Sequence, residues 1–247
     1  MMLPVLSERL KTAAGLVPEQ SVLADVGTDH GYVPIWLCGR ERIKSAIATD
    51  INRGPLERAR EHIRRYGMEE RIQTRLSDGV AAIRPGEADA VLIAGMGGGL
   101  VMHILEAGEA VCRQASLVLQ PQSEIARVRE YLLLHGYVTD AEEMVEEDGK
   151  FYPMMRVRDG REAGGVQNDE ALRGLSESER IGLRYGALLA ENRHPVLLRY
   201  ARKERDTYQK IRENLGAQRQ TEQIRGRIRE VEDVLALNQK LSELYGD

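Results

Sequence analysis

The chain has 247 residues, enough for one nucleotide-site α/β domain and a smaller companion. With 42% hydrophobic and 30% charged residues it can bury a sizeable core, and a net charge of −4 excludes a chain that is basic throughout. Glu8, Arg9 and Lys11 interrupt the N-terminal apolar patches, which excludes a secretory leader. No run is long enough to cross a bilayer, and Cys38 and Cys112 offer neither a disulfide framework nor metal-ligand spacing, so the expectation is a cytoplasmic protein with buried thiols, no metal and no membrane partner.

In chain order, residues 3–14 read as a short amphipathic helix. Strands are expected at 21–26, 45–50, 71–76, 89–94 and 115–119, and helices at 32–39, 54–66, 98–107 and 123–135. That alternation predicts a parallel sheet covered on both faces. Tyr137–Val145 and Phe151–Arg158, joined through residues 146–150, read as a closing antiparallel hairpin. Such a hairpin is usual in class I S-adenosylmethionine (SAM) methyltransferase sheets and absent from the standard NAD fold, an argument by fold analogy. Residues 161–175 are polar and glycine-rich and read as a linker between a Rossmann-like domain, 1–160, and a helical domain, 176–247. In the latter, Leu197, Tyr200, Tyr208, Ile211 and Leu215 form one apolar stripe, and Ile224, Ile228, Val231, Leu235, Leu241 and Leu244 a second. Gly216 lies between them, which predicts an antiparallel coiled coil. Residues 195–229 hold ten Lys or Arg against four Asp or Glu, a local net of +6, and 230–247 reverse to −4. Arg199, Arg202, Lys203, Arg205, Lys210 and Arg212 are therefore candidate RNA-phosphate contacts. Packing or dimerisation remains the alternative use of the hairpin, with a monomer or weak dimer expected.

The loop Asp25-Val26-Gly27-Thr28-Asp29-His30-Gly31 follows the first strand and opens a helix, the position of a Rossmann-type ligand site. Gly27 and Gly31 allow a sharp turn and close backbone approach. The spacing is G-x-x-x-G, and Asp25 and Asp29 would repel a pyrophosphate. SAM carries an ammonium and a sulfonium but no phosphate, so the loop favours it over NAD. Asp50 ends the second strand, with Ile51 beside it, where an acid accepts the two ribose hydroxyls of an adenosine. Asp78 and Gly79 follow the third strand, within reach of an adenine amino group, although Asp-Gly is also an ordinary turn.

Gly95-Met96-Gly97-Gly98-Gly99 ends the fourth strand. Its glycines are expected to open room for a cofactor and a flat substrate, with Met96 covering a ring; a tight helix–strand contact is the alternative. The Asp/Asn-Pro-Pro-Tyr motif of adenine N6 methyltransferases is missing, which favours a ring nitrogen as acceptor. His30 is a candidate proton shuttle or a turn cap. Arg9 is a candidate phosphate contact, and Gln120-Pro121-Gln122 places two amides at the sheet's carboxyl edge, where amides can read a base.

Taken together, Leu6-Ser7-Glu8-Arg9-Leu10, Gly27-Thr28-Asp29-His30-Gly31-Tyr32-Val33-Pro34, Arg53-Gly54-Pro55, Ser77-Asp78-Gly79, Gly95-Met96-Gly97-Gly98, Leu119-Gln120-Pro121 and Gly149-Lys150-Phe151-Tyr152 resemble the bacterial tRNA (adenine-22-N1)-methyltransferase family along essentially the whole chain. The resemblance implies a class I methyltransferase domain, SAM as cofactor, a coiled coil that helps hold tRNA, and position 22 as the methylated nucleotide. The chain departs from the family pattern at Gln122 (usually Asn), at Ala187 in Tyr185-Gly186-Ala187 (usually Phe-Gly-Pro), and at Asp50 (often Glu). Methylation of adenine N1 needs no base, because that lone pair is free at neutral pH. It needs placement, exclusion of water and a counter-charge for the base cation, for which Asp29 is the candidate. A SAM- or nucleotide-sensing protein with a docking arm, and a methyltransferase acting on a small molecule or protein, are the competing readings.

Overall fold

Apolar residues run almost unbroken through the central strands because helices cover both faces of the sheet. The computed structural model describes residues 3–161, 172, 174–219 and 221–246, in two compact units, Met1–Ala171 and Leu172–Asp247. Most of the expected linker, 162–171 and 173, lies outside the described residues.

In the first unit the order is α1 (Glu8–Leu16), β1 (Val22–Val26), α2 (Tyr32–Gly39), β2 (Ser45–Asp50), α3 (Arg53–Arg65), β3 (Ile72–Leu76), β4 (Ala90–Met96), α4 (Gly98–Ala107), α5 (Glu109–Cys112), β5 (Ser116–Pro121), α6 (Ile125–Leu134), β6 (Tyr137–Glu147) and β7 (Lys150–Asp159). The seven strands pair in the order β3-β2-β1-β4-β5-β7-β6. The first five are parallel, and β7 runs antiparallel to both its neighbours. Side chains alternate across the sheet. Ala24, Val26, Val91, Ile93, Leu117 and Leu119 pack with Val101, Ile104, Leu105, Val128 and Leu132 of α4 and α6. Leu23, Ala46, Ala48, Leu92 and Val118 face Ala13, Ala14, Ile35, Leu37, Ala59 and Ile63 of α1, α2 and α3. Cys38 and Cys112 are free and buried, and burial pushes their thiols up to about 11 and about 12.

Beyond shifts of one or two residues at strand and helix ends, three features differ from expectation. The first helix begins at Glu8, because the Ser7 hydroxyl accepts from Leu10 N at 3.3 Å and caps it there, leaving Leu3–Leu6 outside the helix. A short α5 was not foreseen; four residues are too few to carry a period. The closing hairpin turns on Asp148 and Gly149 alone, at φ 50° and 71°, so both strands reach further than the acidic run suggested.

The second unit holds α7 (Glu177–Tyr185), α8 (Ala187–Glu191), α9 (Pro195–Gly216) and α10 (Glu222–Tyr245). The two long helices fold back on each other, with Ala201 accepting from Asn238 Nδ2 at 2.9 Å. Their apolar stripes are buried at Leu197, Val231 and Leu241, whereas Leu244 is 46% exposed. At the centre stands Glu204, which sequence patterning did not place in a core. Its carboxylate accepts from Arg184 Nη2 at 2.7 Å, Tyr185 Oη at 2.6 Å, Tyr200 Oη at 3.1 Å and Asn238 Nδ2 at 3.3 Å.

Candidate active site

The carboxyl ends of β1, β2, β3 and β4 converge on one edge, and the loop after β1 is folded by β2. Thr49, fully buried, accepts from Gly27 N at 2.8 Å and Thr28 N at 2.9 Å through its carbonyl. Its hydroxyl lies 3.4 Å from the carbonyls of Asp25 and Gly79, so from β2 it ties the β1 loop to the β3 loop. Sequence reasoning passed over Thr49; a hydroxyl within the run Ala46–Thr49 was the available signal.

Asp25 is 6% exposed and accepts from Thr28 Oγ1 at 2.6 Å. Burial pushes its carboxyl up to about 6, and the threonine bond offsets that only in part. Gly27 has φ +72°, and a Cβ there would overlap Met96 Cε, so β1 and β4 meet at this point. Gly31, at φ +69°, starts α2 against Ala59 of α3.

Asp29 and His30 turn toward α3. Both oxygens of Asp29 are engaged: Arg58 Nη2 donates to one, and His30 Nε2 lies 3.3 Å from the other. His30 thus does not cap the turn with its ring. Its carbonyl accepts from His62 Nδ1 at 2.9 Å, and that bond fixes the His62 tautomer so that Nε2 faces the Tyr32 hydroxyl at 3.4 Å. The rings of Tyr32 and His62 stack at 4.7 Å. Arg58 and His62 were not singled out from sequence, and Tyr32 only as part of the motif that carries the family resemblance.

Asp50 is half-buried and accepts from Asn52 N at 2.8 Å, with Ile51 60% exposed beside it. Asp78 is exposed, and with Gly79, His103 and Ile104 it lines a concavity between the β3 loop and α4.

Across the same edge, Arg9 of α1 donates from Nη1 to Gln120 Oε1 at 2.7 Å, and its guanidinium lies 5.4 Å from the Tyr152 ring centroid. Gly95 N donates to the same Gln120 oxygen at 3.2 Å, and Gln120 Nε2 donates to the Pro121 carbonyl at 3.2 Å. Fully buried, with its oxygen accepting from both Arg9 and Gly95, Gln120 is not exposed to read a base; it holds Arg9. Arg9 in turn lies against the site edge at Gly95, 3.6 Å from where a Cβ would stand, and is not a free phosphate contact. Gln122 is exposed, its amide 3.7 Å from the same point. The glycine tract divides between the two uses foreseen for it. Gly95 and Gly97 are exposed at the edge, while Gly98 is buried, and a Cβ on it would lie 2.5 Å from the Ser123 carbonyl oxygen.

A methyltransferase-domain family matches residues 6–155. The tRNA (adenine(22)-N(1))-methyltransferase of Bacillus subtilis is 36% identical over 233 residues, 94% of each chain. The chain belongs to the tRNA (adenine(22)-N(1))-methyltransferase family. The crystal structure of the B. subtilis m1A22 tRNA methyltransferase superposes with a TM-score of 0.83 at 35% identity, covering 96% of this chain and 98% of that one. That of Streptococcus pneumoniae Sp1610 in complex with S-adenosyl-L-methionine gives 0.79 at 31%, covering 96% and 99%.

This member of the family fits SAM on its own geometry. The Gly27 turn leaves backbone where a side chain would collide, Asp50 keeps a carboxylate at the edge, and Ile51 exposes an apolar face next to it. On α9 the six candidate cations do not share one side. Helix pitch sets Arg205 and Arg212 together and Lys203 and Lys210 together, about 200° apart around the axis.

Proposed function

We propose that this chain transfers the methyl group of SAM to N1 of an adenine in tRNA, at position 22, working in the cytoplasm where its substrate is found. The observation that carries the proposal is the meeting of the Gly27 turn with Met96 beside the Arg9–Gln120–Gly95 cluster, in a chain of this family. SAM supplies an electrophilic methyl group on a cationic sulfur.

Asp50 and Ile51 receive the adenosine end, Asp78 and Gly79 border its base, and Asp25, Gly27, Thr28, Gly31 and Gly95 shape the cavity for the amino-acid end. Met96, Gly97, Pro121 and Gln122 form the walls that hold the target adenine flat and exclude water, with Arg9 fixed beside them by Gln120. The Watson–Crick edge must be free, so the adenine is turned out of any pair before it enters. Positive charge arrives on the base during transfer, and Asp29, with His30 next to it, is the nearest candidate counter-charge on the β1 loop. Arg58 competes for that carboxylate, so its effect on the base is smaller than that of a lone anion. Cations of α9 (Arg199, Arg202, Lys203, Arg205, Lys210 and Arg212) supply phosphate contacts.

Transfer of label from radiolabelled SAM into unmodified tRNA, followed by nucleoside analysis and mapping, tests the reading. Label in N1-methyladenosine at position 22 is the expected result. Bound SAM with no label in tRNA would overturn it.

A further inference from the structure

Three consecutive residues after β5 are bonded to the glycine tract after β4. Gln122 N donates to the Met96 carbonyl at 2.8 Å, Gly98 N donates to Ser123 Oγ at 3.3 Å, and Gly99 N donates to Glu124 Oε2 at 3.2 Å. The backbone of Gln122 is thereby fixed at the edge assigned above to the target base, while its side chain is exposed. Among the described residues its amide makes no hydrogen bond, in contrast to Gln120, whose oxygen is taken by Arg9 and Gly95. A glutamine that meets only water needs no such anchorage. Its Nε2 and Arg9 Nη1 lie 3.7 and 3.6 Å from where a Cβ of Gly95 would stand, and the missing side chain leaves room there for a flat ring.

The methyl group must reach N1, and a residue that held the base by its Watson–Crick edge would obstruct that atom. The edge left for recognition carries N6 and N7. An amide matches it: the oxygen accepts from the N6 amino group and the NH2 donates to N7, a bidentate pair. Arg9 only donates, so it cannot accept from N6. We infer that Gln122 is a specificity-determining residue for the target base, reading the N6/N7 edge of adenine with both halves of its amide. This role rests on the reading of adenine in tRNA as substrate and names how the base is told from guanine. Guanine has acceptors at both O6 and N7, so in either orientation of the amide one of them faces the amide oxygen. Positive charge that arrives with the methyl group is shared between N1 and N6. The N6–H···Oε1 bond therefore strengthens as transfer proceeds and acts on the transition state as well as on binding.

The test uses the full chain and two tRNAs joined from synthetic halves. One has adenine at position 22, the other 7-deazaadenine, which keeps N1 and N6 but has C–H in place of N7. The quantity read is kcat/KM for adenine divided by kcat/KM for 7-deazaadenine. Gln122→Met keeps the reach of the side chain without its hydrogen-bonding groups, and so supplies the intrinsic difference between the two bases. The parent's ratio is expected to exceed that of the methionine variant by about tenfold. Gln122→Glu keeps an acceptor for N6 but sets a carboxylate against the N7 lone pair, so its ratio is expected to fall below both. A parent ratio equal to that of either variant overturns the role of Gln122 while methylation of adenine stands. A parent that binds SAM but forms no N1-methyladenosine in the adenine tRNA overturns the substrate reading as well.

Discussion

Asp25 shows what burial does to a single carboxylate. The unfolded chain releases this proton near pH 4 and the folded chain near about 6. Folding therefore takes up a proton between those values, and stability falls as pH rises through that window, by about 3 kcal/mol in all. Asp25→Asn removes the cost and keeps an oxygen for Thr28. Thermal unfolding without SAM should show the variant's advantage over the parent growing from pH 4 to 6 and level above it; a constant difference would mean that Asp25 is not the group titrating. If Asp25 faces the cationic end of SAM, the parent binds SAM more tightly as pH rises through the same window, and the asparagine variant does not. Asp29 is a different case, exposed and shared with Arg58. Asp29→Ala is expected to lower kcat about tenfold with SAM affinity retained, and Arg58→Ala, which frees the carboxylate, to raise kcat or leave it unchanged. Full turnover in Asp29→Ala would end its role as counter-charge.

Among the elements, the helical hairpin rests on a polar centre. Burial and the neighbouring Glu204 hold the Tyr185 and Tyr200 hydroxyls well above the usual phenol range, so both stay protonated and donate. Glu204→Ala takes away the carboxylate to which Arg184, Tyr185, Tyr200 and Asn238 donate, and a loss of about 3–5 kcal/mol in urea unfolding is expected. Glu204→Leu combined with Arg184→Met should recover much of it, since a well-packed apolar pair can replace a buried ion pair. Periodicity correctly marked two helices around Gly216, but it ranks residues by hydropathy and so left Glu204 out of the buried stripe. The same limitation hid Gln120. Its amide was legible as an edge group, yet only the tertiary structure showed it buried and bonded to Arg9, Gly95 and Pro121.

For the molecule as a whole, each unit has its own buried core, the first around the sheet and the second around Tyr185, Leu197, Ala201, Val231 and Leu241. SAM is assigned to the first alone. Calorimetry at a SAM concentration of 100 Kd is expected to stabilise the transition of the first unit by about 2.7 kcal/mol and leave that of the second in place. One transition that moves as a whole would show that the units unfold together.

The sequence by itself determined the strand–helix rhythm, the closing hairpin, the helical region after it and the loops that meet at the carboxyl edge. Those follow from local periodicity and from glycines at positions that need positive φ, such as Gly27 and Gly31. Only the tertiary structure decided which polar groups are spent on one another: Asp29 on Arg58, Gln120 on Arg9, Glu204 on four donors. Apart from Tyr200, one helical turn from Glu204, these partners lie from 19 to 111 residues apart in the chain, beyond the reach of any local pattern. A side chain's chemistry is written in its type, but what remains free for a ligand depends on which distant group folding brings against it.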